Sequence, residues 1–269
     1  MPDSFSLWDL RRRALRRAQR HLRAGEPTGL HDIRVALRRV AATAGALGRR
    51  KVAGRAKRIV SSLSADRQLE VDRALLARVK ALGLISEDAA TALGARWEST
   101  SDGNGSSVDT AGNERRVRRL ERKLRSLAAD PQPDALQRLL AARAEVEAGL
   151  ATAPGRKDDK ALHKHRLAVK RARYLAEDLV GCGREEFEAA ASREKTAQEA
   201  LGRWNDVRLF LERIDREREL AEKRGAVRLA SELDRFARSL EQPLKSLRAE
   251  ANDVVRRLAI APSAAVESA

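Results

Sequence analysis

Apolar residues recur along most of the chain at the three- and four-residue spacing that is typical of an amphipathic α-helix. The clearest run steps alternately by three and four positions, through Leu30, Ile33, Leu37, Val40, Ala44 and Leu47. This spacing places an apolar side chain on one face of the helix at every turn, as in a helix that packs in a bundle. The pattern therefore predicts an all-α protein whose amphipathic helices are joined by short turns.

Breaks in the apolar pattern mark where the predicted helices end. One helix is predicted from Ile59 to a stop near Gly83, and a shorter one from Glu87 to Trp97. Residues 99–113 are small, polar and rich in Gly and Ser, so we expect a mobile surface loop there. Residues 261–269 follow the last helical segment and are expected to form a disordered tail.

The chain contains an internal repeat. Residues 30–39 (LHDIRVALRR) and 162–171 (LHKHRLAVKR) share a His, an Arg and a final basic pair at a separation of 132 residues. The apolar spacing repeats at the same offset. We therefore predict one domain over residues 1–260 that consists of two pseudo-symmetric four-helix bundles, residues 1–130 and 131–260, related by an internal duplication.

Positive charge is concentrated in two parts of the chain. The net charge is +16, from 55 Lys and Arg against 39 Asp and Glu. Residues 1–58 contain 16 Lys and Arg against 4 Asp and Glu, and residues 156–174 contain 8 against 2. An evenly solvated basic surface would not produce such a concentration. Because like charges repel one another and oppose compaction, the excess indicates an anionic partner.

One face of each repeated helix carries a His followed by basic residues at helical spacing: His31, Arg34 and Arg38 in the first copy, and His163, Arg166, Lys170 and Arg173 in the second. Stacked like charges destabilise an isolated helix, and few carboxylates on these faces offset them. The His ring can donate to a phosphate oxygen, or it can simply form a local hydrogen bond near the helix start. Two related basic faces predict a groove for a polyanion.

At these residues the sequence resembles the CHAD family, the conserved histidine α-helical domain. The first copy resembles the family pattern H-x-x-R-V-x-x-R-R, with His31, Arg34, Val35, Arg38 and Arg39. The second copy resembles H-x-x-R-x-x-x-K-R-x-R-Y, with His163, Arg166, Lys170, Arg171, Arg173 and Tyr174. These patterns and those that follow extend over nearly the whole chain.

Such domains also carry an L-G-x-x-N-D motif with a Lys upstream. The second half matches it with Lys195, Leu201, Gly202, Asn205 and Asp206. The first half retains Lys57, Leu63 and Arg67, whereas Ser64 replaces the Gly and Gln68 replaces the Asp. The acidic position of the motif therefore has no counterpart in the first half.

The resemblance implies two four-helix bundles with a basic surface between them. It also implies that the protein binds inorganic polyphosphate and associates with polyphosphate granules. The binding residues expected on this basis are His31, Arg34, Arg38, Arg39, Lys57, His163, Arg166, Lys170, Arg171, Arg173 and Lys195. No cofactor is expected.

Catalysis has weak support in the sequence. Some CHAD domains are fused to a triphosphate-tunnel enzyme that carries an E-x-E-x-K strand motif, and the nearest match here, at residues 217–221, lacks the Lys and lies in a helical segment. A Mg²⁺ site would have to combine Asp206 with Glu199, Glu212 or Asp215, of which Glu199 and Glu212 lie about two helical turns away from it. A single cysteine, Cys182, excludes a multi-cysteine zinc site. We expect a protein that is not an enzyme and holds no metal.

Two other functions stay open at this point. A helical protein that binds nucleic acid through the phosphate backbone is the main alternative, although 3% aromatic residues, none within the basic faces, argue against single-strand binding. A scaffold that recruits proteins through an acidic face is the other.

No segment approaches the roughly 18 apolar residues of a membrane span, and no signal-peptide pattern is present, so the expected location is the cytoplasm.

Overall fold

The computed structural model describes residues 7–103, 110–130, 132–151 and 158–260, and it confirms the all-α class. Within these ranges the chain forms ten α-helices and a short 3₁₀ turn, with no strand. The helices are α1 (Leu7–Arg23), α2 (Gly29–Ala46), α3 (Arg50–Ser62), α4 (Ser64–Ala81), α5 (Glu87–Gly103), α6 (Thr110–Ala128), α7 (Ala135–Leu150), α8 (Asp159–Gly181), α9 (Glu188–Lys223) and α10 (Val227–Ile260), and the 3₁₀ turn is Glu185–Phe187. None of these helices, within the described ranges, combines the length and apolar character needed to cross a bilayer.

The helix predicted from Ile59 to Gly83 is instead two helices, α3 and α4, which meet at Leu63. The Leu63 carbonyl accepts a hydrogen bond of 3.1 Å from the guanidinium of Arg34 on α2. Leu63 itself is buried in the core. A contact between residues 29 positions apart thus ends α3, and apolar spacing along a single segment does not reveal such a contact.

The predicted loop at residues 99–113 is helical at both ends. Helix α5 continues to Gly103 and α6 begins at Thr110, so only residues 104–109 lie outside the described residues, as does the predicted tail at 261–269. Buried anchors stand near both ends of this segment: Trp97 is fully buried, and Asn113 accepts a hydrogen bond from the hydroxyl of Ser62. Packing at these anchors extends both helices beyond the positions that composition favours.

Two apolar clusters hold the helices together. The larger one joins α1, α2, α3, α6, α7 and α8 to the first part of α9 and the last part of α10, around Leu37, Leu175 and Trp204. The smaller one joins α4 and α5 to the remaining parts of α9 and α10. Trp97, Phe210 and Phe236 are stacked edge to face there, with centroids 6.1 and 6.2 Å apart. Each cluster combines residues from 1–130 and 131–260, and the division into two bundles stays a prediction.

Helices α2 and α8, which carry the sequence repeat, pack side by side and run in the same direction. Their contacts advance together along both helices: Arg34 lies near Lys170, Arg39 pairs with Glu177 at 2.8 Å, and Thr43 donates a 2.6 Å hydrogen bond to Asp178. Asp178 is fully buried and also pairs with Arg11 of α1. This network joins three helices and fixes the position of α2 relative to α8.

Candidate polyanion-binding site

Helices α2, α3 and α8 line a cavity of about 730 Å³. Its basic residues are Arg38 from α2, Lys57 from α3, and Arg166, Lys170 and Arg171 from α8. Among the described residues, every charged side chain that lines the cavity is a cation. We refer to it below as the α2–α8 cavity. It brings together five of the residues that the sequence nominates for binding.

Helical spacing explains how α8 presents these cations. Arg166, Lys170 and Tyr174 recur every four residues and therefore lie on one face. The adjacent face carries Val169 and Leu175, which are completely buried in the larger apolar cluster. Burial of the apolar face thus fixes the direction in which the basic face points.

The cations in the cavity are crowded and partly desolvated. The pKa of Lys170 is lowered to about 7, mainly by burial and also by the nearby Arg166, Arg38 and Arg34, whereas Asp206 of α9 acts in the opposite direction. Burial also lowers the pKa of Arg166. The Arg166 Nε is buried and has no hydrogen-bond partner among the described residues. The cavity therefore holds positive charge that no carboxylate in its lining, among the described residues, neutralises.

Two residues of α9 that the sequence analysis did not nominate for binding face this cluster. Asp206 is the acidic residue of the L-G-x-x-N-D motif, and its carboxylate favours the charged forms of Arg166 and Lys170. Arg208 opposes the charge on Arg166, and its guanidinium lies 5.6 Å from the centroid of the Trp204 ring. The signal for Asp206 was the motif itself, whereas no motif pointed to Arg208.

Some nominated residues in the first copy lie away from the cavity. Arg34 is buried, with 7% of its surface exposed, and binds the Leu63 carbonyl. His31 and Arg39 line a separate cavity of about 270 Å³ between α1 and α2. The His at the head of the first basic face therefore points towards α1, and Arg34 supports the fold behind the cavity.

In the second copy, three nominated residues also lie outside the cavity wall. The Nδ1 of His163 is 3.4 Å from the Oδ1 of the buried Asn205 and so connects α8 with α9. Arg173 donates to Glu177 at 2.8 Å. Lys195 is exposed on α9. Within the cavity wall, Arg171 contacts Glu145 at 3.4 Å, which leaves it partly neutralised.

The fold and the site define a helical protein with a cationic cavity between two repeated helices. A family model described as CHAD domain matches residues 7–215, and the chain belongs to the CHAD domain family. Its fold is similar to the crystal structure of the CHAD domain from the plant Ricinus communis, with a TM-score of 0.68 and 21% sequence identity over 98% of this chain and 95% of that one. No curated protein matches the chain.

Proposed function

We propose that this protein binds inorganic polyphosphate in the α2–α8 cavity and does not transform it. The observation that carries the proposal is a cavity whose charged lining, among the described residues, consists of five cations. Polyphosphate is a flexible chain with about one charge per phosphate, so a receptor for it needs spaced guanidinium forks and ammonium groups. The cavity supplies both.

The burial and crowding of the cations in the α2–α8 cavity support the binding of an anion there. The unpartnered Arg166 Nε is a buried donor, and burial without a partner is costly unless a ligand supplies the acceptor. Ala41, Ala42 and Gly45 line the α2 side of the cavity, and their small side chains allow a phosphate chain to lie close to the helix. A phosphate chain would therefore satisfy the buried donor and reduce the repulsion between the arginines.

Nucleic acid fits the cavity less well than polyphosphate. Single-stranded nucleic acid binds largely by stacking its bases on aromatic rings. Tyr174 is the aromatic residue that lines the cavity, and 5% of its surface is exposed. Duplex DNA needs no such ring, because phosphate contacts alone can hold it, and so it is the competitor to test.

Competition between long-chain polyphosphate and duplex DNA tests this proposal. At matched phosphate concentration and physiological salt, we expect polyphosphate to displace DNA, and DNA not to displace polyphosphate. If five cations contact phosphates, the logarithm of the binding constant falls with the logarithm of salt concentration with a slope of about −3.5. Tighter binding of DNA, or a slope near zero, would contradict the proposal. Phosphate release with Mg²⁺ present would contradict its non-catalytic part.

Polyphosphate affinity is expected to fall as the pH rises above 7. Lys170 has a pKa of about 7 in the free protein. A bound phosphate favours the charged ammonium and raises this pKa, so the complex holds more protons than the free protein between pH 7 and the higher value. Affinity is therefore greatest below pH 7 and falls above it by up to about tenfold per pH unit.

The pH dependence is measured between pH 7 and 9. Long chains are used, so that few terminal phosphates titrate. Arg in place of Lys170 stays charged throughout, and the Lys170→Arg variant should lose most of the dependence. The same pH profile in both proteins would show that Lys170 is not responsible.

A further inference from the structure

We infer that a second basic cavity, between α3 and α6, extends the binding site and makes the protein selective for long polyphosphate chains; this inference rests on the proposed function. The cavity measures about 560 Å³. Its charged lining, within the described part of the chain, consists of Arg55 and Arg58 from α3 and Arg116 and Arg119 from α6. We refer to it as the α3–α6 cavity.

The sequences of both helices leave this cavity positively charged. Helix α3 contains five Lys and Arg and no Asp or Glu. Helix α6 contains seven Lys and Arg, and its carboxylates are Glu114 and Glu121. Both carboxylates pair with α1, through Arg23 and Arg16 respectively. The acidic groups of α6 therefore neutralise α1, and the arginines that face α3 keep their charge.

The arginines of the α3–α6 cavity are available to a ligand. Arg55, Arg58 and Arg119 are exposed, and none of them has an ion pair with another described residue. Arg116 donates to the Oδ1 of Asn113 at 3.1 Å, which is a neutral acceptor and leaves its charge uncompensated. Four unneutralised guanidinium groups around one cavity form a site for phosphate oxygens.

The two cavities meet across α3. Ser61 lines both of them, while Lys57 faces the α2–α8 cavity and its neighbour Arg58 faces the α3–α6 cavity. Gly54 lies two helical turns before Ser61 on the same face of α3. A Cβ at Gly54 would meet only the Arg58 guanidinium, at 3.5 Å. The part of α3 that separates the cavities thus carries the small residues Gly54 and Ser61 next to the cations Lys57 and Arg58, and an extended polyanion can cross it.

Chain length decides whether a ligand reaches both cavities. A helix with its side chains is about 10–12 Å across, so a chain must span that width to contact both sides of α3. A short chain occupies one cavity. A long chain that is held in the first binds the second at an effective concentration in about the millimolar range, which raises its overall affinity without a new partner.

The test compares the binding of tripolyphosphate, long-chain polyphosphate and duplex DNA to three proteins. The α3–α6 variant carries Arg55→Ala, Arg58→Ala and Arg119→Ala. The control variant carries Arg216→Ala, Arg228→Ala and Arg235→Ala, which removes the same charge from exposed positions on the parts of α9 and α10 that pack with α4 and α5. The third protein is unmodified. Circular dichroism and thermal unfolding verify that both variants fold, as expected for substitutions at exposed sites.

For the α3–α6 variant we expect long-chain affinity to fall about tenfold or more and tripolyphosphate affinity to change by less than about twofold. Its salt slope for long chains should be smaller in magnitude by about 2, because three contacts are lost. The control variant should change neither ligand's affinity beyond a small, equal decrease. This pattern would support the extension of the site.

Three outcomes would overturn the inference. The α3–α6 variant could bind long chains as well as the control does. It could lose both ligands equally, which would make the α3–α6 cavity the primary site. It could lose duplex DNA binding alone, which would assign the cavity to nucleic acid. The proposed function itself fails by a different result, namely that substitution of Arg166 and Lys170 leaves the binding of both polyphosphates unchanged.

Discussion

Simultaneous replacement of Arg38, Arg166 and Lys170 by alanine is expected to weaken polyphosphate binding by about 2,000-fold or more. Hydrogen bonds to charged groups each contribute about 1.5–3 kcal/mol, and three that act on one ligand are lost together. The protein should remain folded, because the substitutions remove like charges that oppose one another in the cavity. Burial and the neighbouring arginines already lower the pKa of Lys170 to about 7, which indicates that the fold disfavours its charge.

Binding and thermal unfolding are measured on the same preparations of this variant. Arg34 is retained, because its guanidinium binds the Leu63 carbonyl between α3 and α4 and its loss would perturb the fold. The Arg216, Arg228 and Arg235 variant serves as the matched control. An unfolded cavity variant would show that these cations are structural, and binding as tight as that of the control would show that the site lies elsewhere.

The largest effect on stability is expected from Asp178→Ala, which should lower the free energy of unfolding by about 3–5 kcal/mol. Asp178 is completely buried, pairs with Arg11 and accepts a 2.6 Å hydrogen bond from Thr43. Removal of the carboxylate leaves the Arg11 guanidinium buried without a counter-charge, and the desolvation cost of that charge is no longer offset. Chemical denaturation measures the change.

A carboxylate in an exposed ion pair provides the comparison for Asp178. Asp253 is paired with Arg257 at 2.6 Å one turn further along α10, and nearly half of its side-chain surface is exposed. Asp253→Ala should therefore cost no more than about 1 kcal/mol. Equal losses from the two substitutions would mean that the Arg11–Asp178–Thr43 network does not hold α1, α2 and α8 together.

The apolar pattern predicted the helices because the core follows it closely. Ile33, Leu37, Val40 and Ala44 recur at the predicted spacing in α2, and each has no more than 1% of its surface exposed. The repeat also predicted that α8 would use the same spacing. By contrast, the break at Leu63 depends on Arg34, which is distant in sequence. Local pattern therefore defined the helices, and long-range contacts defined one of their boundaries.

The sequence predicted the candidate site only in part, because helical spacing shows which residues of one helix share a face and does not show how the helices pack together. Spacing placed Arg166 and Lys170 on one face, and both line the cavity. Spacing treated Arg34 and Arg38 alike, since they lie one turn apart, but only Arg38 reaches the cavity wall. The orientation of His31 towards α1 depends on how α1 packs against α2. Periodicity describes one helix at a time, whereas a cavity is formed by several.

The common direction of α2 and α8 shapes the electric field along the cavity. Neighbouring helices in an up-and-down bundle are antiparallel, so their macrodipoles largely cancel, whereas the dipoles of two helices that run the same way add. The amino-terminal ends of α2 and α8 carry the partial positive charge of each dipole, and Asp32, Asp158 and Asp159 lie in or next to the first turns of these helices. If a polyanion binds in the α2–α8 cavity as proposed, the two dipoles contribute a potential that is more positive towards the starts of α2 and α8 than towards their ends.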